Sequence, residues 1–122
     1  FESGQHQDPK SVNRAIAALI NFMRTLGCIS PDAVENVHDD LLTKFSADLP
    51  KIVKLDYLHR ITPEDGFEML PGYQNFQRIS KGEVLAVDNK GPIRSPQDGL
   101  ILMPLYQKQG EDGFFIVSEV KD

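Results

Sequence analysis

Hydrophobic positions change their spacing once along this chain. From residue 8 to about residue 46 they recur every three or four residues, as on one face of a helix. From about residue 51 to residue 122 they alternate with polar positions, as in strands, and Pro50 lies between the two patterns. The sequence therefore predicts an α+β fold, in which residues 1–50 supply two helices and residues 51–122 form a small all-β domain.

The helical region carries start and stop signals. Asp8 and Pro9 are residue types that cap and begin a helix, Gly27 is suited to end it, and Ser30 and Pro31 repeat the start signal for a second helix. Two short helices cannot cover both of their apolar stripes, so we expect surface that belongs against an absent domain or promotes self-association. The stripes comprise Val12, Ile16, Leu19, Ile20, Met23 and Leu26 in the first helix, and Val34, Val37, Leu41, Leu42 and Phe45 in the second.

Short apolar segments separated by turn-forming residues fill the second region. Pro71-Gly72 and Asn89-Lys90-Gly91-Pro92 are two of these turn signals. The predicted strands are residues 51–59, 67–70, 75–79, 84–87, 100–105 and 114–120. Six short strands at this spacing predict a small barrel-like or sandwich-like domain.

Composition and charge narrow the functional classes. The chain has 122 residues, 40% of them hydrophobic and 25% charged, which is typical of a globular protein. Its net charge of -5 and its scattered Lys and Arg residues exclude nucleic acid as a partner. The longest apolar run, residues 15–20, is too short to span a membrane, and no signal peptide is evident. Because the one cysteine, Cys28, fits a reducing compartment, we expect a cytoplasmic protein.

Two positions are candidate functional residues. Glu2 is predicted to end an apolar strand just before Ser3-Gly4, which fits a carboxylate at a sheet edge that acts as general base and then as general acid. Tyr106 begins a polar loop after Pro104, where a phenol can donate a hydrogen bond to a substrate carboxylate. The residues alone favour simpler interpretations, namely a polar terminus and an ordinary surface tyrosine.

Two runs of sequence resemble a known family. Glu2-Ser3-Gly4-Gln5-His6, followed by a capped helix, is similar to the catalytic-glutamate segment of the succinylglutamate desuccinylase/aspartoacylase family. A second run resembles the C-terminal β-domain of that family, and its most specific pieces are Pro96-Gln97-Asp98-Gly99 and Met103-Pro104-Leu105-Tyr106. Together the two runs cover nearly the whole chain.

The resemblance implies the C-terminal part of a zinc-dependent hydrolase that deacylates N-acyl amino acids or related small amides. It places Glu2 at the position of the glutamate that activates the zinc-bound water. It places Tyr106 at the position of a tyrosine that contacts the carboxylate of the small-molecule substrate. It also implies that residues 1–50 end a catalytic domain and that the parent protein holds zinc through a His-x-x-Glu pair and a later His.

The zinc-binding pattern itself is missing from this sequence. No His-x-x-Glu occurs, and His6, His38 and His59 are widely spaced. We therefore expect the zinc ligands, and an arginine for the substrate carboxylate, to lie upstream of Phe1 in the parent. The chain is expected to bind no metal and to be inactive alone, since its carboxylate has no activated water to deprotonate.

Two other interpretations remain open. The segment from Val84 to Gly99 is similar to the hairpin of lipoyl and biotinyl carrier domains, with Lys90 as the acylated residue. A charged hairpin tip without a chemical role fits the same residues. The β-domain could also be an interaction module that closes over an active site and selects the acyl amino acid.

Overall fold

The secondary structure changes from helices to strands where the sequence pattern changes. The computed structural model describes residues 1–34 and 39–121, and its contacts divide the chain into an N-terminal unit, Phe1–Leu49, and a C-terminal unit, Pro50–Asp122. Helices lie in the first unit and strands in the second, so the predicted α+β class is confirmed. Among the described residues, no helix combines the length and the apolar content needed to cross a bilayer.

Helix α1, Lys10–Thr25, begins and ends at the predicted signals. The Asp8 carboxylate accepts the Lys10 N–H at 2.9 Å, which satisfies a backbone donor of the first turn. At the other end Gly27 has a φ of 72°, and the Cys28 N–H donates to the Met23 carbonyl at 2.8 Å. A residue in the left-handed conformation and this backbone bond are the usual termination of a helix.

Helix α2, Asp39–Ser46, is shorter than predicted. The start signal at Ser30 produces a turn over residues 31–34, in which the Ala33 N–H donates to the Ser30 carbonyl at 3.1 Å. A helix beginning directly after Ser30 is therefore wrong for these four residues. Val37 and His38 lie outside the described residues, and with them the predicted place of Val37 in the apolar stripe.

Much of the apolar surface of α1 is in contact with solvent. Val12, Leu19, Phe22 and Leu26 are 60–73% exposed, whereas the buried residues of this helix are the small residues Ala17 and Ala18. Alanine side chains bury little apolar area, so the burial along α1 contributes only weakly to the stability of the N-terminal unit.

Two antiparallel sheets form the C-terminal unit. The strands are β1 (Val53–Arg60), β2 (Glu68–Met69), β3 (Arg78–Ile79), β4 (Val84–Asp88), β5 (Gly91–Arg94), β6 (Gly99–Leu102) and β7 (Asp112–Glu119). One sheet has the order β1-β7-β6-β3 and the other has the order β2-β4-β5. A closed barrel is not found among residues 50–121, so the domain is two small open sheets.

Both sheets contribute to one cluster of buried side chains. One sheet supplies Ile79, Ile101, Phe114 and Ile116, and the other supplies Met69, Leu85 and Ala86. Shared burial of this kind holds the two sheets of the unit together, since apolar area removed from water contributes about 25 cal/mol per Å².

Strand β5 is an element that the sequence pattern did not predict. It contains Gly91 and Pro92, which the pattern assigned to a turn. Pro92 is tolerated because β5 is the outer strand of its sheet, where a missing N–H costs no central hydrogen bond.

Candidate functional site

The Glu2 segment is irregular backbone that precedes α1, so the predicted strand end at Glu2 is wrong. Glu2 itself is exposed, Ser3 is half-buried, and Gly4 has a φ of 118°. The Arg14 guanidinium, on the second turn of α1, donates through Nη1 to the Ser3 carbonyl at 2.8 Å. An exposed carboxylate therefore extends from a backbone that a helix side chain holds in place.

Arg14 is fixed by two further contacts. Its Nη2 donates to the Asp8 carboxylate at 2.8 Å, and its guanidinium lies 4.7 Å from the centroid of the Phe45 ring. The Lys10 backbone N–H and the Arg14 guanidinium together hold the pKa of Asp8 below its usual value. Asp8 was predicted as a helix cap, but its ion pair with Arg14 had no signal in the sequence.

Tyr106 joins two loops of the C-terminal unit. Its hydroxyl donates to the Leu70 carbonyl at 2.7 Å and accepts the Tyr73 N–H at 2.8 Å. The residue is 41% exposed. Because its one proton is directed at Leu70, Tyr106 can donate to a substrate only if that bond opens, and it can accept a further hydrogen bond without opening.

Tyr73 continues this network toward the sheets. Its hydroxyl donates to Glu83 Oε1 at 2.8 Å and lies 3.0 Å from the Val84 carbonyl, and Glu83 Oε2 accepts the Ser80 N–H at 2.9 Å. Partial burial, reinforced by the Glu83 carboxylate, raises the pKa of Tyr73 to about 12. Tyr73 is therefore a neutral donor at physiological pH. Nothing in the sequence pattern marks Tyr73 for this role.

Two residues with left-handed backbone lie beside the Tyr106 loop. Phe76 has a φ of 64° and Met103 a φ of 50°. Hydrogen bonds to distant residues hold both positions, since the Phe76 N–H donates to the Ile101 carbonyl at 2.7 Å and the Met103 N–H to the Asn75 side-chain oxygen Oδ1 at 2.6 Å. Such backbone costs about 1–3 kcal/mol per residue and is found preferentially at ligand-binding sites.

Lys90 lies at the tip of the hairpin between β4 and β5. The turn consists of Asn89 and Lys90, and both residues are exposed. Asn89 binds this tip to a neighbouring loop, because its backbone N–H donates to the Asp65 carbonyl at 2.9 Å and its side-chain amide to the Glu64 carbonyl at 2.8 Å. The Lys90 backbone N–H in turn donates to Asp88 Oδ1 at 2.8 Å, so the backbone of the tip is held at both residues while the tip stays exposed to solvent.

His59 lies in an aromatic cluster on β1. Its ring stacks on Phe114 at 5.0 Å and on Phe67 at 5.7 Å, and Nδ1 is 3.1 Å from the Tyr57 hydroxyl. Burial among these rings lowers the pKa of His59, although the Asp88 and Asp65 carboxylates oppose the shift. The predicted strand end at His59-Arg60 is confirmed.

Within residues 1–34 and 39–121, no group of three or more His, Cys, Asp or Glu side chains is arranged to hold a metal ion. Glu2 belongs to the N-terminal unit and Tyr106 to the C-terminal unit. Comparison with known protein families, curated proteins and solved structures finds no match to this chain.

Proposed function

We propose that this chain is the C-terminal part of a zinc-dependent hydrolase that deacylates N-acyl amino acids or related small amides, with Glu2 as its general base. The order of the sequence motifs supports the proposal, since the Glu2 segment precedes the Pro-x-Asp-Gly and Met-Pro-x-Tyr motifs of the β-domain. The geometric observation behind it is the exposed Glu2 carboxylate on backbone held by Arg14.

The chemistry requires a carboxylate that is free to exchange protons. In amide hydrolysis, Glu2 would accept a proton from the attacking water and then deliver it to the departing amine. The Glu2 carboxylate is exposed and therefore accessible to water and substrate, whereas the Asp8 carboxylate is paired with Arg14.

The part of the chain that is described does not fit a zinc site. In the proposed enzyme the zinc ligands would belong to other residues of the full-length protein. Zinc would supply an electrophilic centre for the amide carbonyl, and the residues of this chain would supply the proton-transfer group and a loop that contacts substrate.

Tyr106 is the proposed substrate contact. Its position on an exposed loop, beside the strained residues Phe76 and Met103, is typical of a ligand-binding segment. The hydroxyl would reach a substrate carboxylate by exchanging the Leu70 carbonyl for the substrate, an exchange between two acceptors of one donor.

The test is a pair of matched variants in the full-length gene product. Glu2→Gln removes the proton-accepting group, and Glu119→Gln makes the same change at an exposed glutamate at the end of β7. Loss of a general base lowers kcat by about 10²–10⁴-fold. We expect that loss for Glu2→Gln with N-acetyl amino acids as substrates, and none for Glu119→Gln. Near-normal zinc-dependent deacylation by Glu2→Gln would remove this residue from the mechanism and overturn the proposal.

A lipoyl or biotinyl carrier is the second candidate function. The exposure of Lys90 at the tip of a two-residue hairpin favours it. Intact-mass measurement after expression in a host that contains the ligases tests it directly. A lipoyl or biotinyl adduct on Lys90 would support the carrier function, and an unmodified chain would contradict it.

A further inference from the structure

We propose that Arg14 is the positioning residue of the Glu2 carboxylate, a proposal that rests on the proposed function of Glu2. Arg14 does not act on substrate in this account. It fixes the Ser3–Gly4 backbone, and this backbone determines where the Glu2 side chain begins.

The guanidinium of Arg14 is suited to such a role because three contacts from different parts of the unit fix it. These contacts are the Ser3 carbonyl, the Asp8 carboxylate and the Phe45 ring of α2. The side chain is 18% exposed, so water competes weakly for these contacts. The planar guanidinium donates from Nη1 to the Ser3 carbonyl and from Nη2 to the Asp8 carboxylate, which fixes its orientation. A lysine ammonium group has no such planar pair of donors.

Gly4 shows how closely the backbone approaches Arg14. A Cβ atom at this position would lie 2.5 Å from Arg14 Nη1, so the guanidinium would have to move away from its present position. The φ of 118° is itself strained for any residue with a Cβ. Glycine at position 4 therefore leaves room for the guanidinium to reach the Ser3 carbonyl. This contact explains why glycine follows Ser3.

The consequence for Glu2 follows from the exposure of its side chain. Packing does little to fix an exposed carboxylate, so its mean position depends on the backbone that carries it. The Ser3 carbonyl is the anchored group next to Glu2 in sequence. A displacement of about 1 Å at a catalytic group can cost about 10²-fold in rate, so release of this anchor should lower kcat.

Arg24 offers a matched control on the same helix. Its Nη1 lies 2.5 Å from Asp39 Oδ2, and its Nη2 donates to the Val34 carbonyl at 2.7 Å. Like Arg14, it makes one ion pair and one bond to a backbone carbonyl, and its side chain is 14% exposed. Arg14→Gln and Arg24→Gln therefore remove similar interactions, but only Arg14→Gln releases the Glu2 segment.

The first arm of the experiment measures order in this chain. The ¹⁵N relaxation of the Ser3, Gly4 and Gln5 amides is compared in wild type, Arg14→Gln and Arg24→Gln. Arg14→Gln is expected to increase the mobility of these amides, and Arg24→Gln to leave them unchanged. Unchanged amides in Arg14→Gln would overturn the positioning role, whatever the catalytic function is.

The second arm measures kcat and KM in the full-length protein with an N-acetyl amino acid. Arg14→Gln is expected to lower kcat by roughly 10–100-fold with KM within about threefold, Arg14→Lys to lower it less, and Arg24→Gln to leave both unchanged. A kcat for Arg14→Gln equal to wild type, or an equal loss of kcat in Arg24→Gln, contradicts the proposal.

The Glu2→Gln variant separates the two proposals. If Glu2→Gln abolishes activity while Arg14→Gln retains it, the positioning role of Arg14 is wrong and the proposed hydrolase function is supported. If Glu2→Gln retains activity, both proposals are wrong.

Discussion

The hydroxyl of Tyr106 fastens two loops of the C-terminal unit, and removal of this hydroxyl tests the contact. It donates to the Leu70 carbonyl at 2.7 Å and accepts the Tyr73 N–H at 2.8 Å. Tyr106→Phe removes both hydrogen bonds and keeps the ring. Leu70 and Tyr73 then lose their connection to the loop that begins at Tyr106.

The expected loss of stability follows from the exposure of the residue. One neutral hydrogen bond contributes about 0.5–1.5 kcal/mol. Because Tyr106 is 41% exposed, water replaces part of each bond, and we expect about 1 kcal/mol for the two together. With a urea slope of about 1–1.5 kcal/mol/M for a small domain, the unfolding midpoint of the C-terminal unit should fall by about 0.7–1 M.

Hydrogen exchange of the Tyr73 amide is the local measurement. The loss of about 1 kcal/mol should accelerate its exchange by about fivefold, if exchange occurs through opening of this contact. Tyr57→Phe is the matched control, because it removes a hydroxyl that contacts His59 in the same unit. Unchanged exchange of Tyr73 in Tyr106→Phe would refute the claim that the hydroxyl holds these loops together.

Three further predictions concern other parts of the chain. His59 has a lowered pKa, so folding favours its neutral form. The free energy of unfolding of the C-terminal unit should be highest above about pH 6.5 and decrease as the pH falls through the lowered pKa. Urea unfolding midpoints measured from about pH 7 to about pH 5 should show this decrease in wild type and not in His59→Phe. Gly4→Ala should release the Ser3 carbonyl from Arg14, because the added Cβ strains the backbone and meets Nη1, and the Ser3 and Gly4 amides should become mobile on the NMR time scale; unchanged amides would contradict the reasoning. The chain alone should self-associate through exposed residues of α1, and Leu19→Glu should reduce the weight-average mass in sedimentation equilibrium, whereas a monomeric wild type at high concentration would rule out this role.

Local patterns predicted much of the fold. The signals at Asp8, Pro9 and Gly27 mark the ends of α1 because capping depends on neighbouring residues. The alternation of apolar and polar residues marks β1, and a short apolar run, residues 114–117, marks β7; these are the longest strands, and they pair along their length. Strand β5 escaped prediction because Gly91 and Pro92 are turn residues, and only its place at a sheet edge makes them compatible with a strand.

The contacts that build the candidate site had no local signal. Arg14 contacts Ser3 across eleven positions, and Tyr106 contacts Leu70 across thirty-six positions. Such pairs depend on how loops return in space, and similar distant bonds hold the left-handed residues Phe76 and Met103. The sequence therefore indicates Glu2 and Tyr106 as candidates, but it gives no sign of the contacts that Arg14 and Leu70 make with these segments.

The central claim is tested most directly by a crystal structure of the full-length gene product, with its metal located by anomalous scattering at the zinc edge. The proposed function predicts a zinc ion on side chains outside residues 1–122, with the Glu2 carboxylate close enough for one water molecule to lie between them, about 3 Å from the carboxylate. A structure without zinc, or with zinc too far from Glu2 for a single water to connect them, would contradict it.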